Sequence, residues 1–419
     1  MNFIFLILIT SKYEQNLYFF VVMFKYINNS YSNKNHPIVL KYKKNEFYKF
    51  EILIITNTKM DIFRVLHTHL PENISWNILS FLITPREAIK KGIWQVFLYN
   101  GIYPIQNPDE IIKIACQNNK ILIIQEFHKR SIQCFSKLTM NIAASNGHLE
   151  IVKFLHENRT EGCTTYAMNG AAENGHIEVV KFLHENRTEG CTSLAITTAA
   201  ANGHYDIIKF LHINYSNFFS NYVINCAAIG GHLKIVKFLH ENRTEGCTTY
   251  AMNGAAENGH IEVVNFLHEN RTEGCTTDAM DNAAKNRHFL VILFLHENRT
   301  EGCTTDAMDN AAKNGHFRMV KWLHCHKKTG CTKKAMNNAA GNGHLSVVKF
   351  LHRKRKEGCT YHAIDNAAIN GHLSVVKFLY EKRKEGFSEN AIEDIEYGKC
   401  QEYLEKQNNC FRNKLYIPR

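Results

Sequence analysis

Histidine and cysteine are the side chains best suited to bind a metal, carry a proton or act as a nucleophile near neutral pH. This chain of 419 residues has 23 histidines and 13 cysteines. Most of them recur at one interval. His148, His176, His204, His232, His260, His288, His316, His344 and His372 stand 28 residues apart, each closing a variant of Ala-Ala-x-Asn-Gly-His. A second column runs His128, His156, His184, His212, His240, His268, His296, His324 and His352, and continues as Tyr380. The thiols form a third: Cys163, Cys191, Cys247, Cys275, Cys303, Cys331 and Cys359.

The columns themselves test the chemistry. Phe135, Phe219 and Phe387 occupy the cysteine column in other copies, and a benzene ring cannot replace a metal ligand or half a disulfide. The column is expected to be a buried apolar slot holding reduced thiols, which suits a cytoplasmic protein. Neither histidine column has a second nitrogen or thiolate at zinc-finger spacing. Capping near a helix C-terminus accounts for the second. No metal or cofactor is expected. There is no Gly-x-Ser-x-Gly and no phosphate-binding glycine loop, and the carboxylates recur as exposed charges, so an enzyme is not expected. Asn-Arg-Thr sequons at Asn158, Asn186, Asn242, Asn270 and Asn298 read as products of copying and not as glycan sites.

What must position these columns is a repeated element. A fixed interval of this size marks a supersecondary unit that buries its apolar face only by stacking on its copies. In the copy 160–187, Thr164 or Thr165 is the expected N-cap of a short helix. Ala167, Met168, Ala171 and Ala172 lie on one face of that helix. Gly175 is the expected left-handed stop. A second helix should run from about His176 to Glu185, burying Ile177, Val179, Val180, Phe182 and Leu183, with Glu178 and Lys181 outward.

The Gly-His followed by Ile-Glu-Val-Val-Lys-Phe-Leu resembles the second half of an ankyrin repeat, whose pattern is Ala-Ala-x-x-Gly-His-x-x-Val-Val-x-x-Leu-Leu. Two departures stand out. Tyr166-Ala167-Met168-Asn169 replaces the family's Thr-Pro-Leu-His, and the unit is about five residues shorter than the ~33 usual for the family. The resemblance implies an all-α, ankyrin-like solenoid of about ten helix-turn-helix units with shortened loops. At roughly 10 Å per stacked pair, it would be an arc on the order of 100 Å. It also implies a non-catalytic scaffold that binds protein partners on its repeat surface.

The expected organisation is 1–59 as a low-complexity segment with no persistent helical or strand period, 60–104 as a helical cap, 105–386 as the array and 387–419 as a C-terminal cap and tail. Translation beginning at Met60 would leave 1–59 unmade. Residues Leu70, Pro71, Ile74, Ile78 and Phe81, with Trp94 beyond, resemble the opening of an F-box. That resemblance implies an alternative function as a substrate adaptor docked on a ubiquitin-ligase subunit. The longest early apolar run is too short to span a bilayer, and no membrane association is expected.

The net charge of +11 is uneven: +5 in 1–59, −2 in 60–324 and +8 in 325–419. The basic runs at 353–356 and 382–384 read as solvated loops, and nucleic acid is not expected as a partner. Partner contact is expected where columns vary while the core columns stay fixed. One such column is Leu138, Tyr166, Leu194, Tyr222, Tyr250, Asp278, Asp306, Lys334, His362 and Asn390, with Asn169, Asn253, Asp281, Asp309, Asn337 and Asp365 beside it. Residues 160–192 and 244–276 are identical except at Lys181 and Asn265. Arg287 stands where the other copies have glycine, so that repeat is the expected weak point, and Leu293 there marks either a contact with another chain or a drifted surface.

Overall fold

The computed structural model describes residues 5–13, 16–24, 38–43, 52–54, 107–388 and 398–415. The F-box-like segment and Asn390 lie outside them. The chain divides into two compact units, residues 1–143 with 148–163, and residues 144–147 with 164–419.

In the first unit, β1 (Phe5–Tyr13), β2 (Asn16–Phe24), β3 (Ile38–Lys43) and β4 (Ile52–Ile54) pair in that order as one antiparallel sheet. Phe5 lies opposite Phe24, Tyr18 opposite Lys43 and Ile38 opposite Ile54. The sequence carries no strand period in 1–59, and these segments pair as strands without one. The segments are rich in Ile, Val, Phe, Tyr and Leu, types that favour strands. Their apolar runs are continuous, so a search for alternation misses them.

The same unit holds α1 (Pro108–Gln117), α2 (Ile121–Lys129), most of α3 (Lys137–Ser145) and α4 (Leu149–Asn158). Between α1 and α2, Asn119 takes φ 53° at the place where later copies have glycine. Asparagine enters the left-handed region more cheaply than other residues with a Cβ, which lets this first pair turn without the Gly-His.

The second unit repeats the helix pair: α5 (Thr165–Glu173) and α6 (Ile177–Asn186), α7 (Ser193–Ala201) and α8 (Tyr205–Asn214), α9 (Asn221–Ile229) and α10 (Leu233–Asn242), α11 (Thr249–Glu257) and α12 (Ile261–Asn270). It continues with α13 (Thr277–Lys285) and α14 (Phe289–Asn298), α15 (Thr305–Lys313) and α16 (Phe317–His326), α17 (Lys333–Gly341) and α18 (Leu345–Lys354), α19 (His362–Ile369) and α20 (Leu373–Lys382), and closes on α21 (Lys399–Leu415). The array is all-helical, as expected from its pattern.

The local causes recur in most copies, although α9 and α19 have no side-chain cap bond. Thr164 caps α5 by accepting the Tyr166 N–H at 3.3 Å, and Thr192, Thr248, Thr276, Thr304 and Thr332 cap their helices in the same way. Gly175 at φ 85° ends the helix, and the His176 N–H closes the turn on the Ala171 carbonyl at 2.9 Å. Ala167, Met168, Ala171 and Ala172 are buried between first helices, where paired alanines permit close approach. Val179, Val180 and Leu183 are buried behind them, each contributing roughly 1.5–3 kcal/mol. Ile177 and Phe182 are half-buried instead of buried, because they flank the stripe that faces the first helices. At the far end, Cys400 and Leu404 of α21 are buried, so this mostly polar helix covers the last pair with one narrow apolar face.

Candidate interaction surface

Three kinds of interlock recur between successive repeats, and they absorb most of the residues that could do chemistry. The first joins the Asx column to the capping threonines. Asn169 accepts the Thr192 N–H at 3.0 Å and donates to the Thr192 hydroxyl at 2.9 Å. Asn225 with Thr248, Asn253 with Thr276 and Asn337 with Thr360 repeat the exchange. Where the residue is aspartate the hydroxyl donates instead, Thr304 to Asp281 at 2.7 Å and Thr332 to Asp309 at 2.5 Å. Asn169, Asn253, Asp281, Asp309 and Asp365 are buried, and burial raises the Asp281 pKa above its ordinary value. The expectation that this column offers hydrogen bonds to a partner is therefore corrected. A buried amide or carboxylate paired with its neighbour is turned away from any partner at the surface.

The second interlock is the loop. In the copy 244–276, Arg271 closes a bidentate pair on Glu273, and Glu273 also accepts the Cys247 N–H of the preceding loop at 3.0 Å. The Arg271 pair and this backbone bond outweigh burial and hold the Glu273 pKa down at about 2. The thiol beneath behaves oppositely. Burial first, then the Glu273 charge, push Cys247 up to about 11, and burial does the same to Cys191, Cys275 and Cys331. Where phenylalanine fills the slot, the guanidinium lies over its ring: Arg243 over Phe219 at 4.7 Å, and in the first unit Arg159 over Phe135 at 4.3 Å. The exchange of Cys for Phe thus reflects a flat apolar floor under an arginine.

The third interlock uses both histidine columns. In the Gly-His column Nε2 donates to a backbone carbonyl of the preceding first helix, His204 to Glu173 at 2.9 Å, His232 to Ala201 at 2.8 Å and His316 to Lys285 at 3.0 Å. A Cβ on Gly147 would lie 2.4 Å from His176 Nδ1, so the glycine is needed for packing as well as for its φ. In the other column each ring meets the next aromatic ring edge-on, His212 on Phe238, His240 on Phe266, His268 on Phe294 and His296 on Trp322, at 5.1–5.5 Å. Some Nδ1 atoms bond to the next repeat: His184 with the Tyr215 hydroxyl at 3.0 Å, and His296 accepting from Lys327 at 2.8 Å. Burial, then the Lys327 and Arg355 charges, lower the pKa of His296 and His324. The column packs one repeat on the next, which goes beyond the helix-terminus capping read from the sequence.

What remains outward is the variable column. Tyr166, Leu194, Tyr222 and Tyr250 are 68%, 46%, 57% and 68% exposed, and Asp278, Asp306, Lys334 and His362 are exposed after them. Each is the second residue of its helix or, for His362, the first, so all eight lie along the same edge of the first-helix row. The half-exposed Cys226 and Ile229, 37% exposed, lie one and two turns along α9 from Tyr222. Sequence reasoning missed the Asx–Thr clamp, although a signal existed: each Asx of that column is followed 23 residues later by Thr or Ser.

Such a stack, with its chemistry spent on internal bonds and a variable column left on one face, defines a helical repeat protein of the interaction class. Family profiles described as "Ankyrin repeats (3 copies)" match residues 112–192, 140–222, 196–281 and 308–390, and one described as "Ankyrin repeats (many copies)" matches 280–324. The chain belongs to the ankyrin repeat family. A search of curated proteins finds no significant match. Among the described residues no helix is long and apolar enough to cross a membrane, and no cluster of three or more His, Cys, Asp or Glu could hold a metal ion.

Proposed function

We propose that this ankyrin protein is a non-catalytic scaffold that holds protein partners along the outer edge of its first helices. The observation that carries the reading is the run Tyr166, Leu194, Tyr222 and Tyr250. Four large side chains stand exposed at one helical position of successive repeats, while the neighbouring polar columns are consumed internally. Tyrosine combines apolar area with a polar tip at low entropic cost, the composition of interface hot spots. Asp278 and Asp306, then Lys334, add a charge pattern that would set the direction of a bound segment, and His362 extends the polar end of the row. Among the described residues no disulfide joins the cysteines, which suits a reducing compartment such as the cytoplasm.

The test is capture of partners from lysate by the full chain and by the double variant Tyr222→Ser, Tyr250→Ser. Both residues are exposed, so the fold and melting temperature should hold while the captured set is lost. Equal capture by both proteins would overturn the assignment of this edge. A second reading, the ubiquitin-ligase adaptor, rests on the F-box-like pattern of Leu70, Pro71, Ile74 and Ile78 alone. It requires that the full chain bind the F-box-binding ligase subunit and that Ile74→Asp abolish the binding.

A further inference from the structure

The outer face of the second helices shows one interruption. Two positions recur there, and in α6 they form an ion pair, Lys181 Nζ to Glu178 Oε1 at 2.9 Å. In α12 the lysine is replaced by Asn265. That is the one difference between residues 244–276 and their copy at 160–192. Glu262 keeps its exposed carboxylate, and no ion pair of it occurs among the described residues. In α14 both positions are leucine, Leu290 and Leu293. Leu290 is 69% exposed, with Phe289 beside it at 37%. In α16 both are cations, Arg318 and Lys321, each exposed. Three adjacent helices therefore read acid, apolar, base at one level.

We propose that this face is the contact of a homodimer in which Leu290 and Leu293 pack on their own copies and Glu262 of each protomer faces Arg318 of the partner subunit. A twofold axis parallel to α14 reverses the order of the stack and keeps the helical level. It brings acid onto base on both sides of the leucines. A twofold along the stack would instead set Arg318 opposite Lys321 of the partner subunit, a like-charge contact. The sequence is thus self-complementary in one of the two isologous arrangements. Loss of the lysine at Asn265 fits the same geometry, since a lysine there would face Lys321 of the partner subunit. Glu297 at the end of α14 meets its own copy and opposes association. Three helices at ~10 Å spacing offer on the order of 500 Å² per protomer, below the ~800 Å² of a standard interface, so the dimer is a micromolar one.

Sedimentation velocity on the full chain from about 1 to about 200 μM tests this. The expected result is a reversible monomer–dimer equilibrium that Leu290→Glu abolishes with circular dichroism and melting unchanged. Glu262→Arg should weaken the dimer about tenfold, and adding Arg318→Glu should restore it, a rescue that a nonspecific apolar contact would not give. Glu297→Gln should tighten it. A monomer at every concentration, a dimer indifferent to Leu290→Glu, or no rescue by the charge exchange would overturn the proposal.

Discussion

A polar side chain buried between repeats stabilises only while its partner is present, and that asymmetry makes the clamp residues testable. Asn253 both accepts from and donates to Thr276. Asn253→Leu leaves the Thr276 N–H unpaired at a half-buried site and should cost about 2–3 kcal/mol, whereas Asn253→Asp keeps both bonds with the hydroxyl reversed, as at Asp281. Urea denaturation of the two variants checks the order, and equal losses would mean that volume and not hydrogen bonding sets the cost. One junction lacks the clamp. Thr197 stands at the Asx position and donates to the Ser193 and Leu194 carbonyls of its own helix at 3.1 Å. Thr197→Asn should therefore reach Ser220 and add about 1 kcal/mol. At the thiols, Cys247→Ala should cost about 1–2 kcal/mol, and Cys247→Asp more, through an unpaired buried charge. In the native state a thiol reagent should label exposed Cys325 first and the buried column slowly. Rapid labelling of the whole column would contradict its burial.

The helix pair was legible in the sequence because its determinants are local: a capping threonine, paired alanines at helical spacing, a glycine stop and a Val-Val-Lys-Phe-Leu stripe. The clamp and the histidine donations were not, since each joins residues 23 to 31 apart and shows only when two columns are read together. The apolar strands β1 and β2 escaped for another reason, their lack of alternation. Arg287 is where local reasoning makes its sharpest claim. The turn keeps the left-handed geometry, with φ 68°, despite the side chain, and His316 still donates to Lys285 at 3.0 Å. The geometry has therefore been kept and the residue strained to fit it, at about 1 kcal/mol. Arg287→Gly should raise stability by about that amount. Hydrogen exchange should be fastest around residues 282–296 among the internal repeats. Uniform protection, or a loss of stability in the variant, would show that arginine makes contacts there that outweigh its backbone conformation.

Across the whole stack the repetition turns small pKa shifts into a collective response to pH. His260, His296, His316, His324 and His352 all have pKa values lowered below the ordinary histidine value, burial being the first cause in each. A histidine lowered in the folded chain binds fewer protons than the same residue unfolded. As pH falls through the unfolded value of about 6.5, the unfolded chain gains protons that the native stack resists, and stability falls. The carboxylates act later in the same direction. Glu273 and Glu301 are held at about 2, so their contribution is intact above the unfolded value of about 4.3 and is lost only as the pH drops from there toward 2. Two windows follow, a histidine window opening below about pH 6.5 and a carboxylate window below about pH 4.3. The melting temperature should therefore decline between pH 7 and pH 5, before Glu273 and Glu301 lose their contribution. The decline should shrink when His324 and His352 are replaced by phenylalanine, which keeps the edge-on ring contacts with Phe350 and Phe378 but cannot take up a proton. A melting temperature flat from pH 7 to pH 5, or an acid response unchanged in that double variant, would place the sensitivity in other groups.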